Sequence, residues 1–259
     1  MDTNLIVRLF GWKATLINGD TLVMDRWKWL SKKLPVRKTK SEGYNLLDVG
    51  CGSGAFTIGG ASKGYKSLGL SWDKNNQLKA QKRANICQKD ASFEVWDVRQ
   101  LDKKKELINR FEYIICTENI EHIIDDVKLM SDMHNCLVEG GVLLLTTPNK
   151  NLVPMWGDDY AYTENPIEDG GHVRLGYDEQ DCISICKKTG FELISIEYCS
   201  GFFSQKITGL FRFLGKMDYL FAWSVILPIR VLPILFDKII PYTGYSICIV
   251  AQKINTSKE

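Results

Sequence analysis

Five apolar, strand-like runs recur at residues 44–49, 66–72, 92–98, 111–117 and 142–147, with helix-compatible stretches between them around 55–63, 75–87, 101–109 and 125–137. No other feature constrains the fold as strongly. Strands separated by helices pair in parallel, because right-handed crossovers lay the helices on both faces of one sheet. A further helix pattern at 178–189, closed by Gly190, leads into a strand at 191–198, and 245–252 reads as a last strand. The expected class is α/β, with seven strands and helices on both faces.

The flanking segments read differently. Val23, Trp27, Leu30 and Leu34 fall at i, i+4, i+7 and i+11, one face of a helix that Asp20 is placed to cap. A polar stretch with Pro35 and Gly43 follows and reads as a linker. Residues 1–43 are therefore expected to form an N-terminal helical cap. The domain proper is expected at 44–259, with insertions at 149–177 and 201–243. The first insertion is irregular, aromatic and acidic, and too long for an idle connection. The second is very apolar. Within it, 220–236 contains Arg230, Pro228 and Pro233, whereas a spanning helix needs about 20 apolar residues without charge. It reads as helices packed on the body or lining an apolar pocket, with peripheral membrane contact as the alternative.

Composition narrows the function classes. The 259 residues carry 33 Lys+Arg against 31 Asp+Glu, a net charge of +2. A nucleic-acid binder needs a clear basic excess to displace phosphate counterions, so no nucleic-acid partner is expected. The N-terminus lacks the long apolar core and small-residue cleavage site of a signal peptide. A cytoplasmic protein is therefore expected, with membrane association as the variant reading. Its eight cysteines then read as reduced, buried small hydrophobes, Cys182 and Cys186 included, since no second Cys/His pair accompanies them.

The first strand runs into Asp48-Val49-Gly50-Cys51-Gly52-Ser53-Gly54 and then a helix. Glycines at such a turn let the backbone approach a ligand closely. In a dinucleotide site this loop meets a pyrophosphate. Here the carboxylate of Asp48 precedes the first glycine, which suits a cationic ligand such as an ammonium or sulfonium. A P-loop lysine is absent.

LLDVGCGSG resembles the first motif of class I S-adenosylmethionine-dependent methyltransferases. GLSWDKNNQ, FEVWDVRQL, YIICTENIEHI and CLVEGGVLLLTTPN continue the resemblance at successive strand ends. It covers about 44–150 well and extends to 178–199 and 245–252. It implies a Rossmann-like sheet with S-adenosylmethionine across the strand ends. It also implies that Gly50, Cys51, Gly52 and Gly54 pass under the methionine part while Asp48 anchors its ammonium, directly or through water. The acidic residue usual after the second strand is missing. GLSWDKNNQ is closer to a small-molecule branch, which points to Ser71 and Asn76 for polar contacts and Trp72 against the adenosine, with Asp73 as rival and a core role as the alternative for Trp72. Asp97 and Val98 match the adenine-binding position, a helix cap being the other reading of Asp97. The resemblance further implies that the backbone at Thr117 and Glu118, which end the fourth strand, borders the methionine tail.

Glu118-x-x-Glu121-His122 resembles the E-x-x-E-H pattern of quinone-ring O-methyltransferases, whose side chains are associated with a divalent metal. Ordering of the helix start and a base role for His122 are the other readings, and no metal is assigned. His172, between glycines and charges in the long loop, is the second candidate base. Arg174 beside it is open to pairing with Glu168 or Asp169, or to holding an anionic substrate group. Aromatic residues at 12, 27, 29, 156, 160, 162, 202, 203, 211, 213, 219, 221 and 223 are expected to cover the site. They suit an apolar or aromatic small metabolite such as a terpenoid, indole, quinone precursor or lipid. The acceptor atom and the oligomeric state stay open. A non-catalytic cofactor-binding subunit is the remaining alternative.

Overall fold

The computed structural model describes residues 3–17, 20–38, 43, 45–153, 168 and 170–254. Seven strands form one sheet: β1 (Leu46–Val49), β2 (Ser67–Ser71), β3 (Ala91–Val95), β4 (Phe111–Thr117), β5 (Leu137–Pro148), β6 (Phe191–Cys199) and β7 (Ser246–Lys253). Their order is β3-β2-β1-β4-β5-β7-β6. All neighbours pair in parallel except β7, which is antiparallel to both β5 and β6. The α/β, Rossmann-like class expected from the sequence is the one adopted.

Among the described residues, ten α-helices surround it: α1 (Thr3–Phe10), α2 (Ala14–Ile17), α3 (Thr21–Lys33), α4 (Ala55–Ser62), α5 (Lys74–Ile86), α6 (Asp126–Cys136), α7 (Glu179–Lys188), α8 (Phe202–Gly215), α9 (Tyr219–Ile226) and α10 (Leu232–Phe236). Because side chains alternate along a strand, the apolar runs feed two cores. On one face Leu47, Ile114, Leu143 and Ile249 pack with Met130 and Met133 of α6 and Cys182 and Cys186 of α7. On the other, Leu46, Ile115, Leu144 and Cys248 meet Trp29 and Leu30 of α3 together with Leu34. The N-terminal helix thus lies on the sheet itself. Its start is set by Asp20, whose carboxylate accepts the Val23 N–H at 3.1 Å. All eight cysteines are free thiols, five of them buried.

Two boundaries differ from expectation. Residues 101–109 form no α-helix but two 3₁₀ turns, Val98–Lys103 and Lys105–Leu107, and only Leu101 and Leu107 of that stretch reach the core. β5 begins at Leu137 and runs straight through Gly140 and Gly141. Its pairing with β4 shifts register between Phe111 and Tyr113, so a bulge absorbs the glycines that read as a turn.

Candidate active site

Parallel strands β1 to β5 all end at one edge of the sheet, and their following loops surround a cleft of about 430 Å³. Its lining includes Gly50, Gly52, Ser71, Trp72, Asp73, Asn76, Asp97, Val98, Arg99, Glu118, Asn119 and His122. A crevice outside the carboxyl ends of the strands is where open α/β sheets bind ligands.

The glycine loop divides its labour. Gly50, Gly52 and Gly54 all have positive φ, at +79°, +50° and +79°. A Cβ on Gly50 would fall 2.4 Å from the Asn119 side chain, and one on Gly54 would fall 2.6 Å from Phe93 and 2.7 Å from Ala80. At Gly52 a Cβ would meet nothing within 4 Å. Gly52 therefore faces open cleft, whereas Gly54 lets α5 and β3 close against the loop. Cys51 does not line the cleft. Its sulfur accepts from Gln77 Nε2 at 3.2 Å, and burial raises its thiol pKa far above the usual value, so it is a packed thiol and not a nucleophile.

Asp48 is also absent from the lining. It is fully buried beneath the loop, where one oxygen accepts the Thr57 hydroxyl at 2.6 Å and the other has no partner. Burial pushes its pKa up to about 7. Direct contact with a ligand in the cleft is not available in this arrangement.

Trp72 is 67% exposed at the cleft mouth and is no core aromatic. Asp73 caps α5 through the Asn75 and Asn76 N–H groups and also accepts from Asn76 Nδ2, so the rival acid is committed to local structure. Ser71, at the end of β2, is buried at the cleft wall. Asp97 is a cap, one of the two readings the sequence allowed, and it also stands at the cleft. It lines the cleft and caps the 3₁₀ turn through the Arg99 N–H at 3.0 Å. The Arg99 guanidinium, 2.6 Å away, holds its pKa below the usual range. Arg99 then reaches Glu168 at 2.7 Å, a link between distant loops that no local pattern shows.

Beyond β4 the backbone is unusual. Thr117 is buried behind the lining, and Glu118 follows with φ +46°, a left-handed conformation that a non-glycine residue holds only when its surroundings fix it. They do. Glu118 Oε1 accepts from Thr146 and Ser246 at 2.9 and 3.0 Å, and Oε2 lies 3.7 Å from the buried Arg26 guanidinium of α3. Arg26 and Asn119 had no signature in the sequence beyond an ordinary helix cation and a strand-end amide.

Glu121 is fully buried, with Oε2 accepting from Thr147 at 3.3 Å and Oε1 without a hydrogen-bond partner. Burial, and then the charge of Glu118, raise its pKa well above normal. His122 lines the cleft, its Nδ1 2.9 Å from the Gly171 carbonyl and its Nε2 3.8 Å from Glu121 Oε1. His172 does not line the cleft. Its ring stands edge-on against His122 with centroids 4.5 Å apart, and burial together with His122 lowers its pKa to about 4. Arg174 pairs with Asp126 and Tyr177 instead of the loop acids or a substrate group.

The aromatic cover lies elsewhere. Trp27 stacks on Phe56 and meets Trp12 edge-on, while Phe202, Phe203 and Tyr242 form a second, edge-on group and Phe211, Tyr219 and Trp223 a third. None of these lines the cleft. Trp156, Tyr160 and Tyr162 lie outside the described residues.

A methyltransferase-domain family model matches residues 23–196. A ubiquinone biosynthesis O-methyltransferase of Coxiella burnetii is 26% identical over 176 residues, covering 62% of this chain and 73% of the relative. Among solved structures, the fold is shared with phosphoethanolamine N-methyltransferase 2 of Haemonchus contortus in complex with S-adenosyl-L-methionine, with a TM-score of 0.64, 18% identity, and 98% and 60% of the two chains covered. It is shared as well with geranyl diphosphate C-methyltransferase of Streptomyces coelicolor, with a TM-score of 0.59, 12% identity, and 88% and 77% covered. The open backbone at Gly52 and the acid beneath it fit a cationic nucleoside. The family match takes in every strand-end loop of the cleft, so the chain belongs to the class I S-adenosylmethionine-dependent methyltransferases, with S-adenosylmethionine as its methyl donor.

Proposed function

We propose that this methyltransferase acts on a hydroxyl oxygen of an apolar, aromatic small molecule of the quinone-precursor kind. The observation that carries the reading is the setting of His122. A carbonyl oxygen only accepts, so the contact with Gly171 fixes the proton on Nδ1 and leaves Nε2 of the neutral ring as acceptor. His122 lines the cleft and so offers the base that a phenolic hydroxyl needs when its oxygen attacks, with the buried Glu121 Oε1 3.8 Å from Nε2 to stabilise the imidazolium formed. S-adenosylmethionine supplies a sulfonium-activated methyl group. The chain aligns the acceptor, excludes water and takes the proton. The name of the Coxiella relative supports both the oxygen and the ring.

In this reading Gly50 and Gly52 underlie the methionine part, with Glu118 beside its tail and Thr117 behind. Cys51 and Gly54 hold the loop's shape. Ser71 and Asn76 serve the ribose, Trp72 covers the adenosine, and Asp97 and Val98 take the adenine. Residues 1–43 act as a cap on the domain 44–259, with Arg26 as the cap's contact to Glu118. Incubation with methyl-labelled cofactor and a panel of catechols, amines and carbon nucleophiles tests the assignment. A methyl ether as the main product is expected, and exclusive N- or C-methylation overturns it.

Asp48 acts on the cofactor through its charge. The folded chain binds its proton more tightly than the unfolded chain does, because the native pKa of about 7 exceeds the ordinary 3.8. This contribution to stability is therefore fully present below the unfolded value and is lost as pH rises through 7. A cationic cofactor above the loop favours the carboxylate, so binding below pH 7 must release this proton. Calorimetry in buffers of different ionisation enthalpy should show proton release at pH 6 and little at pH 8. Affinity should rise by up to about tenfold per pH unit as pH approaches 7 from below. Asp48→Asn should remove both effects.

One observation favours a second reading. Ligand atoms of Glu121, His122 and His172 lie within 4.8 Å of one another, and Glu121 Oε1, which no hydrogen bond satisfies, is 3.8 Å from His122 Nε2. Glu118, expected in such a set, is held instead by Thr146, Ser246 and Arg26. Two imidazoles and a carboxylate suit a divalent cation, which would acidify the acceptor hydroxyl.

A further inference from the structure

The run Tyr219–Phe236 is long and apolar enough to cross a membrane, yet only 17% of it is buried in the fold. Pro228 and Pro233 divide it into α9, a 3₁₀ turn (Leu227–Val231) and α10. It therefore lies on the surface as short pieces packed on α8, and not as a straight spanning rod. Ala222, Ile226 and Pro233 face inward. Met217, Leu220 and Ile239 are 74%, 63% and 72% exposed, and Leu227 and Leu235 are more than half exposed. Patches of this kind mark interaction sites.

Charge identifies the occupant. Residues 202–242 carry Lys206, Arg212, Lys216, Arg230 and Lys238 against Asp218 and Asp237, a net +3 in a chain whose total is +2, with Arg212 paired to Asp20 at 3.4 Å and Arg230 buried, so the three lysines are the exposed cations. Both acids are engaged as helix caps. Asp218 accepts the Phe221 N–H at 2.7 Å, and Asp237 accepts the N–H groups of Phe203 and Ser204 at 2.7 and 3.1 Å. Lys206 on α8, Lys216 at its end and Lys238 just past α10 are all exposed. A second copy docked on this face would bring lysines against lysines, whereas anionic headgroups accept them while acyl chains take the leucines.

We propose that α9, α10 and the turn between them form a monotopic surface that seats the protein on an anionic lipid bilayer. Tyr219, half exposed at the start of α9, suits the headgroup boundary. Arg230 stacks on Trp223 at 4.9 Å and donates to the Asp20 carbonyl at the start of α3. The same helix carries Arg26 to Glu118 in the cleft wall, so the seat and the site share one rigid element. The surface does not depend on which acceptor is methylated.

Co-sedimentation of the full chain with phosphatidylcholine vesicles, with and without phosphatidylglycerol, tests the proposal. Binding should be about tenfold or more stronger with the anionic lipid and should weaken with added salt. Leu220→Glu/Leu227→Glu should abolish it while leaving cofactor binding, measured by calorimetry, unchanged. Lys216→Glu/Lys238→Glu should remove only the anionic preference. Equal binding by wild type and the leucine variant overturns the proposal, as does no binding to either vesicle. A dimer in sedimentation velocity that the leucine variant dissociates assigns the face to a second copy instead.

Discussion

Replacing Gly52 with alanine should leave the chain folded and abolish its hold on S-adenosylmethionine. The backbone there has φ +50°, which costs an L-residue about 1–2 kcal/mol, and the added methyl meets no protein atom within 4 Å. Loss of that size lowers the melting temperature by about 2–4 °C per kcal/mol in a chain this long. The same methyl enters the cleft where the backbone is open for a ligand. Cofactor affinity should fall at least about 100-fold, roughly 2.7 kcal/mol. Gly54→Ala should show the opposite profile, because its methyl strikes Phe93 and Ala80 and not the cleft. Gly50→Ala should lose both stability and binding, since it drives Asn119 out of place from 2.4 Å. Calorimetry and thermal melts on the three variants separate these outcomes. Cofactor binding by Gly52→Ala within twofold of wild type would remove the glycine loop from the site.

How much of this was legible depends on how local the signal is. The strands of the parallel half were readable because both faces of the sheet are covered, which makes each strand a continuous apolar run. The Asp20 cap was readable because capping joins residues three apart. The direction of β7 was not, since a strand's polarity comes from the length and path of its connection and not from its composition. Arg26 on α3 looks like any helix cation. It is buried only because Glu118, 92 positions later, arrives in a left-handed turn beside it. Arg99 and Glu168 meet across 69 positions in the same way. The aromatics of the flanking segments were correctly read as apolar, but apolarity alone does not tell a core from a pocket lining or from an outer face. Those of α8 and α9 proved to lie in clusters away from the cleft.

His122→Ala should reduce kcat by about 10²- to 10⁴-fold with cofactor affinity nearly unchanged, the range that loss of a general acid–base group produces. His122 is the imidazole among the cleft-lining residues, whereas His172 stands behind it. With a pKa near 4, His172 is neutral at pH 7 but a feeble base. If His122 alone takes the proton, His172→Ala should cost less than about tenfold, through looser seating of the neighbouring ring. Glu121→Gln should then cost little where the imidazolium forms without a charged partner, because burial already favours the uncharged acid. Chelators should have no effect. A bound divalent cation predicts a different pattern from the same variants. His122→Ala, His172→Ala and Glu121→Gln should then all fall together, since each removes a ligand, and a chelator should mimic them reversibly. Glu121→Gln is the sharpest of the set. It keeps the shape and the Thr147 contact, so a large loss there reports a carboxylate that must carry charge, and the chelator then separates a bound divalent cation from a protonated His122, whose Nε2 lies 3.8 Å away.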